Sequence, residues 1–129
     1  FASSRLLITG DFTYHSAVKA DLTQYSKNSV MNLALGMEYY LTPAFPLRAG
    51  IFTNLDSRPK LKKNTTGQRD HIDYTGGTVF ITWAQPNSHI GAGVIYQMGT
   101  GRAQKLEGGA LNDVEASAFT LALSATHSF

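Results

Sequence analysis

The chain has 129 residues, enough for one domain of ordinary size, with a formal net charge of +2 and no cysteine. So small a charge, with no basic helix and no RNA-binding aromatic signature, gives no reason to expect nucleic acid as a partner. The lack of cysteine rules out a disulfide framework and a thiolate metal site. No apolar run reaches the roughly 18 residues of a membrane-spanning helix.

The first four residues, Phe1-Ala2-Ser3-Ser4, hold no methionine, basic region or apolar run. The expectation is a removed signal peptide or an internal start in a longer chain. A first strand is predicted at about 5–15. Leu6, Ile8, Gly10, Phe12 and Tyr14 alternate with Leu7, Thr9, Asp11, Thr13 and His15. A polar connection, 16–28, follows.

The next two strands, at about 29–41 and 47–55, form the clearest pattern in the chain. Met31, Leu33, Leu35, Met37, Tyr39 and Leu41 share one face, and Asn32, Ala34, Gly36 and Glu38 share the other. Leu47, Ala49, Ile51, Thr53 and Leu55 alternate with Arg48, Gly50, Phe52 and Asn54. Between them Thr42-Pro-Ala-Phe-Pro46 forces a turn, because proline fixes φ and cannot donate to a ladder. The first of these strands has about twelve residues, whereas strands of soluble domains run about five or six. A strand that crosses a bilayer needs about 9–11.

A long charged loop, 56–70, carries Arg58, Lys60, Lys62, Lys63 and Arg69. Pro59 and the run Asn64-Thr65-Thr66-Gly67 speak against a helix there. Strands at about 72–84 and 88–99 flank the turn Gln85-Pro86-Asn87. Val79, Ile81 and Trp83 face one way, and Thr78, Phe80 and Thr82 the other. Ile90, Ala92, Val94, Tyr96 and Met98 alternate with His89, Gly91, Gly93, Ile95 and Gln97. Residues 100–113, with Gly108 and Gly109, read as a third long connection. The last strand is predicted at about 114–129. Phe119, Leu121, Leu123 and Ala125 lie on one face and Ala118, Thr120, Ala122 and Ser124 on the other.

Long connections follow the odd strands and short turns the even ones. Outer-membrane barrels alternate long extracellular loops with short periplasmic turns in this way. The fold class expected is therefore all-β: an antiparallel up-and-down transmembrane β-barrel in the bacterial outer membrane, with the C-terminus in the periplasm. Tyr39, Leu41, Leu47, Trp83 and Phe129 would mark one membrane interface, and Tyr14, Leu55, Tyr96 and Met98 the other. A soluble β-sandwich binding module is the competing architecture, with the same apolar face packed on a core.

The C-terminal pattern, Phe129 preceded at alternate positions by Ala125, Leu123, Leu121 and Phe119, resembles the terminal-strand signal of bacterial outer-membrane proteins. His127 departs from it, since an apolar or aromatic residue is usual there. A closer similarity is to the FadL/TodX family of outer-membrane transporters for long-chain fatty acids and other hydrophobic compounds. It rests on Ala34-Leu-Gly-Met-Glu-Tyr39 and Pro46-Leu-Arg-Ala-Gly-Ile51, and on the glycine-rich hairpin from Tyr74 to Tyr96. It covers roughly residues 30–129. The resemblance implies a barrel of about fourteen strands, with an N-terminal hatch and an early lateral opening that this chain cannot match. The chain would then be the C-terminal six strands. The implied function is passive, Gram-negative, porin-like uptake of hydrophobic solutes, without a cofactor. No ligand-binding residue carries over by motif. A structural or assembly barrel that scaffolds a partner is the alternative.

Six strands are too few for a single-chain barrel, which starts at about eight. The first and last strands are therefore expected to be edges that pair with upstream strands of a longer chain or with other copies. Three groups of residues are candidate sites. Phe52, Phe80 and Ile95, apolar on the otherwise polar inner face, could line a conduit for a hydrophobic solute. Asp11, Glu38 and Arg48 could form a polar network in the lumen. Arg58, Lys60, Lys62, Lys63 and Arg69 could meet outer-membrane lipid and lipopolysaccharide phosphates through charge-assisted contacts. No metal spacing is seen among His15, His71, His89 and His127. No enzyme activity is expected. The neighbours Ser88–His89 and His127–Ser128 would point to opposite faces of a strand.

Overall fold

The computed structural model describes residues 5–20, 26–63, 68–104 and 111–128. The terminal Phe129, the 64–67 run, Gly108 and Gly109 lie outside the described residues, as do Phe1–Ser4. Six strands form one antiparallel sheet in sequence order, with no helix among the described residues. They are β1 (Leu6–His15), β2 (Val30–Thr42), β3 (Phe45–Asn54), β4 (His71–Gln85), β5 (Ser88–Gln104) and β6 (Leu111–His127). The outer edges of β1 and β6 are unpaired among the described residues, so the sheet is open.

The register places the two alternating sets on opposite faces. Leu35 lies opposite Ile51, and Gly36 opposite Gly50. Val79 lies opposite Ala49 and Val94, and Val94 opposite Leu121. One face, here called outer, carries the long apolar side chains. The other, inner, carries Gly, Ala, Thr and a few charges. Among the described residues neither face has a second layer over it. Few apolar residues are buried among those described, chiefly Leu61, Ala103 and Pro46, and none is on the outer face of a strand core. Leu123 is 86% exposed, Leu121 72% and Ile8 70%.

The strands differ most from the expected bounds at two connections. The β2–β3 turn is tighter, with only Pro43 and Ala44 outside the ladder and a register shift between Tyr40 and Thr42. Pro46 is tolerated because it sits at the start of β3, next to that irregularity. The pairing of β5 with β6 runs on through Arg102–Asp113 to Gln104–Leu111, so the third connection is shorter than the polar sequence predicts. Backbone pairing needs no apolar side chain, and the Arg102–Asp113 ion pair at 3.2 Å helps to hold this extension.

The end of the sheet with tight turns is knitted by backbone bonds. Ala84 N–H donates to Ala44 O at 2.8 Å, and Ser128 N–H to Asn87 O at 2.9 Å. On the outer face there, Phe45 stacks on Trp83 with centroids 6.4 Å apart and planes 5° apart. At the other end the charged loop is fastened to the sheet. Leu55 N–H donates to Asn32 Oδ1 at 2.7 Å, Asp56 N–H to Asp73 Oδ1 at 2.8 Å, and Asn28 N–H to Ser57 O at 2.6 Å.

Candidate functional site

The inner face is where polar and aromatic groups converge, and the register explains how. Glu38 and Arg48 are direct cross-strand partners on β2 and β3. Arg48 Nε donates to Glu38 Oε2, and Arg48 Nη1 donates to Thr82 Oγ1 at 3.4 Å. These two bonds tie β2, β3 and β4 together near the tight-turn end, and Tyr40 shares the face two residues from Glu38. Thr82 is nine-tenths buried, whereas the Arg48 side chain keeps 49% of its surface. The guanidinium is thus held and still presented to whatever occupies the inner side.

Asp11 makes no direct bond to this network, although it borders the same inner-face hollow as Glu38 and Arg48. It lies opposite Ala34, whereas Leu7 lies opposite Glu38. Four residues of strand separate the two levels, about 13 Å. Asp11 instead accepts a hydrogen bond from Thr13 Oγ1 at 3.1 Å.

Phe52 and Phe80 are both on the inner face, and each lies over glycine on the next strand. A Cβ built on Gly76, the partner of Phe52, would be 2.5 Å from Phe52 Cζ. The Phe80 ring covers two glycines of β5. Its Cε1 would be 2.5 Å from a Cβ on Gly91, and its Cγ 2.8 Å from one on Gly93. Tyr74 repeats the arrangement on Gly99, with Cε1 at 2.5 Å. These are aromatic rings resting in glycine notches, a cross-strand fit that pins register. Ile95 lies opposite Thr78 and Thr120, without such a notch. Smaller groups fill the other inner glycines: Thr9 Oγ1 stands over Gly36 and Thr78 Oγ1 over Gly50.

The basic loop divides into two parts. Arg58 is engaged: its side chain binds the Asp56 carboxylate, with Nε 2.7 Å from Oδ2, and its own N–H donates to Asp56 Oδ1 at 2.9 Å. Burial pushes the Asp56 carboxyl up. The hydrogen bonds from the Arg58 side chain and backbone and from Ile72 N–H outweigh it and hold the group below the usual aspartate range. The Asp56 carboxylate in turn raises Arg58 above its ordinary value. His71 Nδ1 lies 2.7 Å from Arg58 O, and its Nε2 lies 3.5 Å from Asp73 Oδ2. Lys60, Lys62, Lys63 and Arg69 are exposed. The Gln68 amide brackets the Lys62 backbone at 2.6 and 2.7 Å.

The sequence reading did not find the Thr82 contact, the Tyr74–Gly99 pair or the Asp56–Arg58–His71 fastening. Alternation does put Thr82 on the inner face, but only the β3–β4 register brings it to Arg48. No protein-family model, curated protein or solved structure matches this chain.

Proposed function

We propose that the six strands are one section of an outer-membrane β-barrel of FadL/TodX type that takes up hydrophobic molecules, such as long-chain fatty acids, by passive diffusion. The observation that carries this reading is the bare apolar outer face. From Trp83 to Asp73 on β4 is ten residues, about 33 Å of strand. Tilted by about 40°, that spans the roughly 25 Å apolar band of an outer-membrane barrel. No outer-face residue between those two on β4 is charged: they are Ile81, Val79, Gly77 and Thr75. Six strands about 4.8 Å apart make this face roughly 900 Å² in projection. Exposed apolar patches on soluble monomers stay at about 300–600 Å².

In hydrocarbon each unpaired backbone group on β1 and β6 would cost several kcal/mol. Further strands, from the same polypeptide or from other copies, are therefore assigned to those edges. The C-terminus and tight turns are assigned to the periplasm and the basic loop to the lipopolysaccharide surface. The solute would pass on the inner side, along Phe52, Phe80 and Ile95 and past Arg48.

One observation favours a second reading, a structural barrel that scaffolds a partner. Phe52 and Phe80 already pack on their own wall, which suits bracing as well as lining. Uptake of a fluorescent long-chain fatty acid into liposomes holding the native-length protein separates the two. Saturable uptake above empty liposomes is the expected result. Insertion without uptake would favour the scaffold. Solubility in water without detergent would instead return the soluble β-sandwich.

A further inference from the structure

The outer face is not uniformly covered. Along the β4–β5 seam Gly77 lies opposite Tyr96, with Ile51 on its other side. A Cβ built on Gly77 would meet nothing nearer than Gly50 O at 3.4 Å, so the space over it is open on the outer side. Leu35 and Ile51 bound this space on one flank and Tyr96 and Met98 on the other, making an apolar trough of about 530 Å³.

The same two strands continue toward the loop end. Beyond Thr75–Met98 come the pairs Asp73–Thr100 and His71–Arg102. Here Lys60 and the buried Leu61 of the basic loop lie against the wall and close a second, polar hollow of about 580 Å³. Its cations are Lys60 and Arg102, and its carboxylates are Asp73, Asp113 and Glu115. An apolar trough therefore leads into a polar hollow along one seam, at the height where the apolar band ends.

We propose that this seam holds a phosphorylated glycolipid of the outer leaflet, with an acyl chain in the trough and its sugar-phosphate headgroup in the hollow. The inference rests on the membrane reading of the sheet. The mixed charge of the hollow selects the headgroup. Three carboxylates beside two cations disfavour a headgroup that offers phosphate without hydroxyls, and they accept hydrogen bonds from sugar hydroxyls. Lys60 supplies the charge-assisted donor for phosphate, with Arg102 beside it in its ion pair with Asp113. An open glycine in the wall is what admits a chain here, since a larger residue at position 77 would occupy the trough.

The test uses the native-length protein in phosphatidylethanolamine vesicles that contain a minor fraction of either lipid A or phosphatidic acid, whose headgroup is phosphate alone. The lipid retained after detergent extraction is then quantified. Lipid A should be enriched over its bulk fraction, and phosphatidic acid should not. Lys60→Glu and Gly77→Leu should each lower lipid A retention by about tenfold, equivalent to 1.4 kcal/mol. Lys27→Glu, on the other long connection, should leave it unchanged. Equal retention of both lipids would overturn the sugar assignment. No enrichment by an inserted wild-type protein would overturn the site, and this readout needs no variant. A protein that fails to insert at all would instead break the membrane reading itself.

Discussion

The two faces of this sheet are built from alternate residues of the same strands, yet they are held by different means. The inner face is finished within the chain. Phe52, Phe80 and Tyr74 fill notches at Gly76, Gly91, Gly93 and Gly99, and Arg48 ties three strands together. The outer face is unfinished. Its side chains stand out from the sheet and touch little, so their stability depends on the medium against them. A single layer thus stores specificity on one side and solvent preference on the other, because strand alternation keeps the two sets apart.

A charge placed on each face in turn should separate the two most strongly. Leu121 and Thr120 are sequence neighbours on opposite faces. Leu121→Arg should destabilise by about 2–4 kcal/mol in a lipid refolding titration, and Thr120→Arg by much less. Equal penalties would mean that the outer face does not meet lipid.

Glycine substitutions give the next largest contrast. Gly93→Ala would press a methyl group against Phe80 and within 2.6 Å of Val79 O, and backbone cannot yield as a side chain can. A cost of about 1–3 kcal/mol is expected, as for other overpacked sites. Gly77→Ala meets open space and should fall within about 0.5 kcal/mol of wild type. Urea midpoints of the two variants in lipid check both.

The loop end can be probed by pH. Asp56 is held below the usual aspartate range in the folded state, so its contribution is present above the unfolded value and lost as pH falls through the folded one. The basic loop should therefore stay closed at neutral pH and open in acid below the ordinary aspartate value of about 3.9. Asp56→Asn should open it at neutral pH. Faster tryptic cleavage at Lys60, Lys62 and Lys63 in that variant, with the strands intact, is the expected readout. Unchanged cleavage would show that the Asp56–Arg58 pair fastens nothing.

The smallest effect is expected at Glu38 and Arg48. With Arg48 half exposed, their coupling in a double-mutant cycle should be about 0.2–1 kcal/mol. A much larger value would mean that the inner side is drier than these exposures imply.

What the sequence disclosed follows the same division. Period-two alternation fixed which residues share a face, and Thr-Pro-Ala-Phe-Pro placed the β2–β3 turn, because both are local properties of the chain. Glu38 and Arg48 were legible as partners since a tight turn sets their register. The glycine notches were not. Gly91 and Gly93 alone say nothing of what lies over them, and only the pairing of β4 with β5 shows that Phe80 does. Asp11 and Glu38 are both inner-face acids bordering one hollow, and only the β1–β2 register shows the four-residue difference in level between them. The β5–β6 extension was hidden by polar residues at 100–104 and 111–113, whose pairing owes nothing to apolar pattern.

Each strand bonds only to the strands next to it in sequence. Among the described residues no pairing joins β1 to β3, or β2 to β5. The sheet is therefore a zipper, in which every new strand needs only the one made just before it. Closing such a ladder never requires distant parts of the chain to find each other, which keeps the entropy cost of each step small. It also makes the hairpin an interchangeable unit. A copied hairpin would lengthen the wall by two strands and leave every existing register as it was.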